Sequence, residues 1–170
     1  MSTTPLYGKY RATVVNNVDP LQIGRIQVLV PDVAGLVPST WAMPCVPVAG
    51  INTGLFTVPM IGSGVWVEFE RGDPDYPIWV GGYWGTAAEV PVLAHAVPPG
   101  VTGITLQTPL KNGLVISDVP GPTGGILIQT TTGAMISVSD VGIIISNGKG
   151  AVINMTGPTV DVNLGALTVI

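Results

Sequence analysis

Residues 103–170 are built from short runs of alternating apolar residues separated by glycine-containing turns, and this repeat limits the possible folds most strongly. From Ile126 onward, the runs start 9, 8, 9, 8 and 7 residues apart. A period near eight residues is too short for repeats built from helices and fits one strand plus one corner of a β-solenoid. The eight runs are GITLQ (103–107), LVISD (114–118), ILIQT (126–130), MISVS (135–139), IIISN (143–147), VINMT (152–156), VDVNL (160–164) and LTVI (167–170).

Two architectures share this pattern, a single-chain solenoid and a prism made of three chains. Single-chain solenoids usually have longer coils and a capping element at each end, whereas here the last run extends to the final residue, Ile170. One chain with such short strands is expected to leave many backbone N–H and C=O groups unpaired, which is costly. The repeat therefore favours an intertwined trimer, in which strands hydrogen-bond to other chains around a narrow dry core.

Alternation within the runs predicts which side chains point into that core, because successive strand residues face opposite sides. The open edge of a final strand invites pairing with another chain, so we expect a partner protein to cover the end of the repeat. The predicted core residues are Ile126, Ile128, Ile136, Val138, Val160 and Val162, and the predicted docking residues for the partner are Leu167, Val169 and Ile170.

Residues 1–88 follow a different pattern and contain all four tryptophans. In GVWVEFE (64–70), Val65, Val67 and Phe69 share one face of a strand. Five short strands without an amphipathic helix predict a small closed barrel of OB type, with a β-sandwich as the competing fold. Residues 89–102, which contain three prolines, are predicted to be a stiff connector. The five strand-like runs are 10–17, 23–31, 40–48, 64–72 and 76–84.

Low charge narrows the possible functions of the chain. Its charged fraction, 9%, is far below the roughly 25% of ordinary domains, so we expect partners or copies of the chain to cover much of its surface. The net charge is −4 and the six basic residues are scattered, which argues against nucleic-acid binding. No signal peptide or membrane-spanning run is recognisable, and the single cysteine, Cys45, excludes an internal disulfide.

The chemically reactive residues do not form a recognisable catalytic pattern. Arg71-Gly72-Asp73 precedes a proline and is predicted to be a hairpin turn rather than an adhesion motif. Glu68 and Glu70 share a strand face, but no histidine lies near them in sequence to complete a metal site. His95 is interpreted as a linker residue, and Cys45 as a small core residue. We therefore predict no catalytic residue, no cofactor and no metal.

Two motifs resemble a known family. The order GRIQVLVP (24–31) followed by GSGVWVEFERGDPDYPIWVGGYW (62–84) resembles the N-terminal OB domain of phage baseplate assembly protein V and of VgrG-type central spikes. The repeat of residues 103–170 is similar in pattern to the triple-stranded β-helix of those spikes. The resemblance implies an all-β fold with an N-terminal OB-fold barrel (1–88), a connector (89–102) and an intertwined trimeric needle (103–170).

The resemblance also implies a function. It predicts a structural, non-enzymatic central spike that joins the tail tube and hub proteins, at the OB end, to a tip protein, and that pierces the target cell envelope. It would be a homotrimer in the virion baseplate or an extracellular injection particle, assembled in the bacterial cytoplasm, and would contact a membrane only during puncture. Some family members have a lysozyme-like domain or a histidine-bound metal at the apex, whereas here the connector is short and the needle lacks histidine. This favours a separate tip of the PAAR-repeat kind.

Two other functions fit parts of the chain. An OB-fold module that binds sugar or nucleic acid could carry a β-solenoid appendage. A polysaccharide lyase on a β-helix fits less well, because such sites need clustered charged residues. Residues 103–170 contain only Lys111, Asp118, Asp140, Lys149 and Asp161.

Overall fold

The computed structural model describes residues 5–169 and confirms the all-β class. The chain divides into two compact units, residues 1–89 and 90–170. Among the described residues, the helical segments are one α-helical turn, α1 (Pro31–Ala34), and three 3-10 segments (Glu70–Gly72, Ala87–Glu89 and Val92–Ala96). Within this part of the chain, no helix has the length and apolar character needed to cross a membrane.

The first unit contains a curled five-stranded sheet made of β1 (Tyr10–Asn16), β2 (Gln27–Leu29), β3 (Met43–Pro44), β6 (Gly64–Phe69) and β7 (Pro77–Tyr83). The strand order in this sheet is β2-β1-β6-β7-β3. Its neighbours pair in antiparallel fashion except β3 and β7, which are parallel. Ile26 and Ala42 exchange two backbone hydrogen bonds of 3.2 and 2.8 Å, which join the β2 edge to the β3 edge and close the sheet. The predicted OB-type barrel is confirmed. Two further strands, β4 (Ala49–Gly50) and β5 (Thr53–Gly54), pair with each other in a separate two-stranded antiparallel sheet.

The barrel covers its own apolar core. Val65, Val67 and Phe69 of β6 are buried, as the alternation predicts, while the residues between them are only half-buried. Trp79 is buried and its indole N–H donates to the Gly24 carbonyl at 3.1 Å, so the largest core side chain is satisfied. The remaining members of the core are Ala12, Val14, Ile26, Val28, Val30 and Ala42.

Two predictions about reactive residues in this unit have different outcomes. The interpretation of Cys45 as a core residue is wrong, because its side chain is exposed. The alternation of strand residues explains this exposure. Ala42 is buried and Met43 is exposed, so Cys45, two residues after Met43, lies on the same outer face. Arg71-Gly72-Asp73 occupies the turn between β6 and β7, where the Asp73 N–H donates to the Glu70 carbonyl at 3.0 Å.

A buried carboxylate organises the loop between β1 and β2. Asp19 accepts hydrogen bonds from the Arg25 guanidinium at 2.7 Å and from the backbone N–H groups of Leu21, Ile23 and Arg25 at 3.0–3.2 Å. These interactions, above all the Arg25 guanidinium, hold the pKa of Asp19 far below its ordinary value of 3.8, although burial alone would raise it. The loop is therefore fixed by one ionised side chain.

The second unit is a single eight-stranded antiparallel sheet in which each strand pairs with the next one in the chain. All eight predicted runs form strands. Connections of two to seven residues fold each strand back onto its predecessor, so consecutive strands pair within the chain. The sequence repeat predicts pairing between chains instead, and the long antiparallel sheet is consistent with the predicted β-helix. The strands are β8 (Gly103–Gln107), β9 (Gly113–Ser117), β10 (Gly125–Gln129), β11 (Met135–Ser139), β12 (Gly142–Ser146), β13 (Val152–Thr156), β14 (Thr159–Val162) and β15 (Leu167–Val169).

We predict that Asp19→Asn loosens the β1–β2 loop, because it removes the charge that Arg25 and three N–H groups stabilise. Amide hydrogen exchange at Ile23 and Arg25 should accelerate, and the thermal midpoint of the barrel should fall. Asp73→Asn is the matched control, since that carboxylate accepts a backbone N–H in an exposed turn. Equal behaviour of the two variants would contradict the assigned role of Asp19.

The stabilisation of the β1–β2 loop by Asp19 should depend on pH. Because the folded-state pKa of Asp19 lies below its unfolded value, its stabilising effect is present above about pH 4 and is lost as the pH falls toward the folded-state pKa. We therefore expect acid unfolding of the wild type to be steeper than that of Asp19→Asn, measured by tryptophan fluorescence between pH 5 and 2. Parallel acid-unfolding curves would contradict this.

Candidate functional site

One face of the eight-stranded sheet presents two apolar positions from every strand. The cross-strand register places these positions opposite one another from β8 to β15, in two unbroken rows. We call this surface the apolar ladder. Its first row is Ile104, Ile116, Ile126, Val138, Ile143, Met155, Val160 and Val169, and its second row is Leu106, Leu114, Ile128, Ile136, Ile145, Ile153, Val162 and Leu167.

The apolar ladder is not covered within a single chain. Leu106, Ile128 and Val160 remain 61%, 48% and 36% exposed, which is unusual for aliphatic residues in the middle of a sheet. Among the described residues of this unit, the one buried hydrophobic side chain is Val115, which points to the opposite face. A contiguous apolar surface of this size is typical of an interaction site.

The connector partly covers the opposite face of the same sheet. Leu93 packs over Gly113 so closely that a Cβ there would lie 2.3 Å from the leucine, and Val97 packs over Gly103 in the same way. The Leu93 N–H also donates to the Gln107 side chain at 2.9 Å. Val115 is buried on this face. The connector therefore shields the face opposite the apolar ladder at β8 and β9, whereas the ladder face stays exposed.

Charge is excluded from the apolar ladder. Lys111, Asp140 and Lys149 lie in the connections between strands. Asp161 lies within β14, but it alternates with Val160 and Val162 and so belongs to the opposite face. Its carboxylate accepts the Gly165 N–H at 2.6 Å, which stabilises the turn before β15. The ladder is therefore suited to packing in a dry environment and offers no polar group for ligand chemistry.

The structure brings together the residues predicted from the sequence. All six predicted core residues lie on the apolar ladder, three in each row. That they point into a trimer core stays a prediction. Leu167 extends the second row and is 59% exposed, and Val169 extends the first row by its backbone register. Ile170, the third predicted docking residue, lies outside the described residues.

Sequence reasoning missed half of the apolar ladder. The same alternation that identified Ile126 and Ile128 applies to the strands before and after them, so the signal was present in the sequence. Within residues 5–169, no group of three or more histidine, cysteine or carboxylate side chains is placed to hold a metal ion. His95 is exposed on the 3-10 segment Val92–Ala96. The missed residues are Ile104, Leu106, Leu114, Ile116, Ile143, Ile145, Ile153 and Met155.

Comparison with protein families identifies both units. Residues 103–168, which contain the apolar ladder, match the phage baseplate V C-terminal trimerisation domain. Residues 10–84 match the type VI secretion system/phage-baseplate injector OB domain. A comparison with curated proteins found no significant match. The two matches define a structural protein of a phage baseplate or a related injection system.

The chain belongs to the baseplate V/VgrG-like proteins, as the sequence motifs indicate. The trimerisation domain supports a homotrimer. Membership in the family places the protein in the tail-associated part of the particle.

We predict that Leu93→Ala weakens the start of the sheet, because Leu93 fills the space above Gly113. Truncating a leucine to alanine in a protein core costs about 2–5 kcal/mol, and truncating the half-buried Leu93 should cost less than truncating a core leucine. Hydrogen exchange in β8 and β9 should accelerate, whereas exchange in β13 and β14 should not change. Val92→Ala is the matched control, since Val92 is adjacent and 59% exposed. The docking of the connector would be contradicted if both variants exchanged like the wild type.

Proposed function

We propose that the protein is the central spike of a contractile tail or related injection system. In this role it joins the tail tube to a tip protein and is driven through the target cell envelope. The observation that carries the proposal is the apolar ladder, which runs across all eight strands and is left open by a single chain. The function is mechanical, without a catalytic step.

Packing three apolar ladders against one another gives the rod its core. Backbone hydrogen bonds within each sheet are made by consecutive strands of one chain, so the association between chains is driven by apolar burial. Completing the burial of the fifteen partly exposed ladder side chains from Ile104 to Leu167 contributes on the order of 10 kcal/mol per chain. The six core residues predicted from the sequence lie in β10, β11 and β14, in the middle of the sheet and beside its last strand, β15.

The dimensions and composition of the sheet support a stiff piercing element. Eight strands spaced by about 4.8 Å extend for roughly 35 Å along the direction of stacking. A rod of three such sheets has no internal polar layer at which it could bend or admit water. We propose that the particle is assembled in the bacterial cytoplasm.

We place the tip protein at β15 and the tail tube and hub proteins at the OB domain. Among the described strands, β15 is at one edge of the sheet and pairs only with β14, so its outer backbone groups can accept a partner strand. Leu167 adds an exposed apolar side chain at this edge. A PAAR-like tip would contact three copies of this edge.

We predict that Val160→Asp prevents formation of a detergent-resistant trimer. The substitution places three carboxylates around one axis in a dry core, at a cost of several kcal/mol for each charge unless it is protonated. The wild type should migrate as a trimer in SDS without boiling, and the variant as a single chain.

Thr159→Asp provides the matched control, because Thr159 precedes Val160 and faces the opposite side of β14. It should retain the detergent-resistant trimer. If Thr159→Asp were disruptive and Val160→Asp were tolerated, the inward face would be the other one.

A second experiment tests the tip site. Deleting residues 160–170 removes β14 and β15 and should abolish capture of the cognate tip protein while the remaining strands still form a trimer. Lys149→Ala, in the turn between β12 and β13, should capture the tip normally. Capture by the deletion variant at the wild-type level would place the docking site elsewhere.

A further inference from the structure

The barrel carries an exposed apolar surface close to the point in the sequence where it ends. Met60, Ile61 and Trp84 are 53%, 60% and 62% exposed. Together with Tyr83 they line a cavity of about 780 Å³ between the segments 59–64 and 82–84. We call these four residues the Trp84 surface. The core of the barrel is complete without them.

The Trp84 surface has the composition of the centre of a protein interface. Tryptophan, tyrosine and methionine are enriched at such centres, and lysine and free carboxylates are depleted. Glu89 also lines the cavity, but its carboxylate is already bound to the Gly85 N–H at 2.9 Å and to the Thr86 hydroxyl. The cavity therefore presents apolar and aromatic groups with little free charge.

Tyr83, one of the two aromatic residues of this surface, is held in place within the single chain. The rings of Trp66 and Tyr83 lie 5.1 Å apart, and the Arg11 guanidinium carbon lies 5.4 and 5.3 Å from their centres. The Tyr83 ring also packs over Gly64, where a Cβ would lie 2.7 Å from it. A fixed aromatic side chain loses little conformational entropy on binding, which favours a stable contact.

We propose that the Trp84 surface packs against the barrel of a second copy of this chain, so that the three barrels of the trimer contact one another. The inference rests on the trimer of the proposed function. Only eight residues separate Trp84 from Leu93, which is fixed on the trimerisation sheet. Short tethers hold linked modules at effective concentrations of about millimolar, so a second copy is the most available partner for an apolar contact.

Hydroxyl-radical footprinting of the full-length protein, read by mass spectrometry, tests this contact. Met60 and Trp84 should oxidise several-fold more slowly than their exposure in one chain predicts. Met43 and Tyr76 are reference residues of similar exposure on the same barrel, 47% and 61%, and should oxidise at the rates expected for them. The molar mass of the same sample is measured by light scattering.

The outcomes separate the two proposals. A trimer whose Met60 and Trp84 oxidise at their expected rates would overturn the barrel contact and leave the spike function intact. A single-chain mass would contradict the trimer itself, and with it the barrel contact. Ile61→Glu should restore rapid oxidation of Trp84 without changing the trimer mass, whereas Leu36→Glu, at a residue 86% exposed away from this surface, should leave Trp84 protected.

Discussion

The central constraint on this protein is an apolar sheet face that one chain cannot cover. Consecutive strands from β8 to β15 satisfy their backbone hydrogen bonds within the chain, so the sheet does not need other chains for pairing. What it lacks is a surface against which Ile104, Ile128, Ile145 and their neighbours can pack. A sheet with one apolar face is stable in water only when that face packs against another apolar layer. The match to a trimerisation domain supports a homotrimer, and we propose that the two further copies of the chain form that layer.

The two units differ in how their apolar sheet faces are covered. In the first unit, the bridge between Ile26 and Ala42 closes a short curled sheet, so its inner face becomes a core within one chain. In the second unit, the connector shields only the beginning of one face, where Gly103 and Gly113 make room for Val97 and Leu93. The ladder face receives no such cover. Its uncharged character is what three identical surfaces need in order to meet on one axis, because like charges there would repel each other.

Much of this architecture could be predicted from the sequence, because strand alternation and glycine turns are local signals. They located all eight strands of the second unit and the inward face of β6. Local patterns do not say which strand a given strand pairs with, and for this reason the pairing of consecutive strands within the chain was not predicted. The exposure of Cys45 was missed because prolines flank it in an apolar run. The Asp19–Arg25 contact and the docking of Leu93 onto Gly113 depend on tertiary contacts, which local patterns do not reveal. The docking did have one local signal, the glycine at a strand position.

The molar mass of the intact protein in dilute solution shows whether three chains share one apolar core. If three ladders share one core, light scattering should return three times the single-chain mass of 17.5 kDa, with a circular dichroism spectrum rich in β-structure. A mass of 17.5 kDa with the same β-rich spectrum would contradict the account, because it would show that a single chain is stable with the apolar ladder exposed to water.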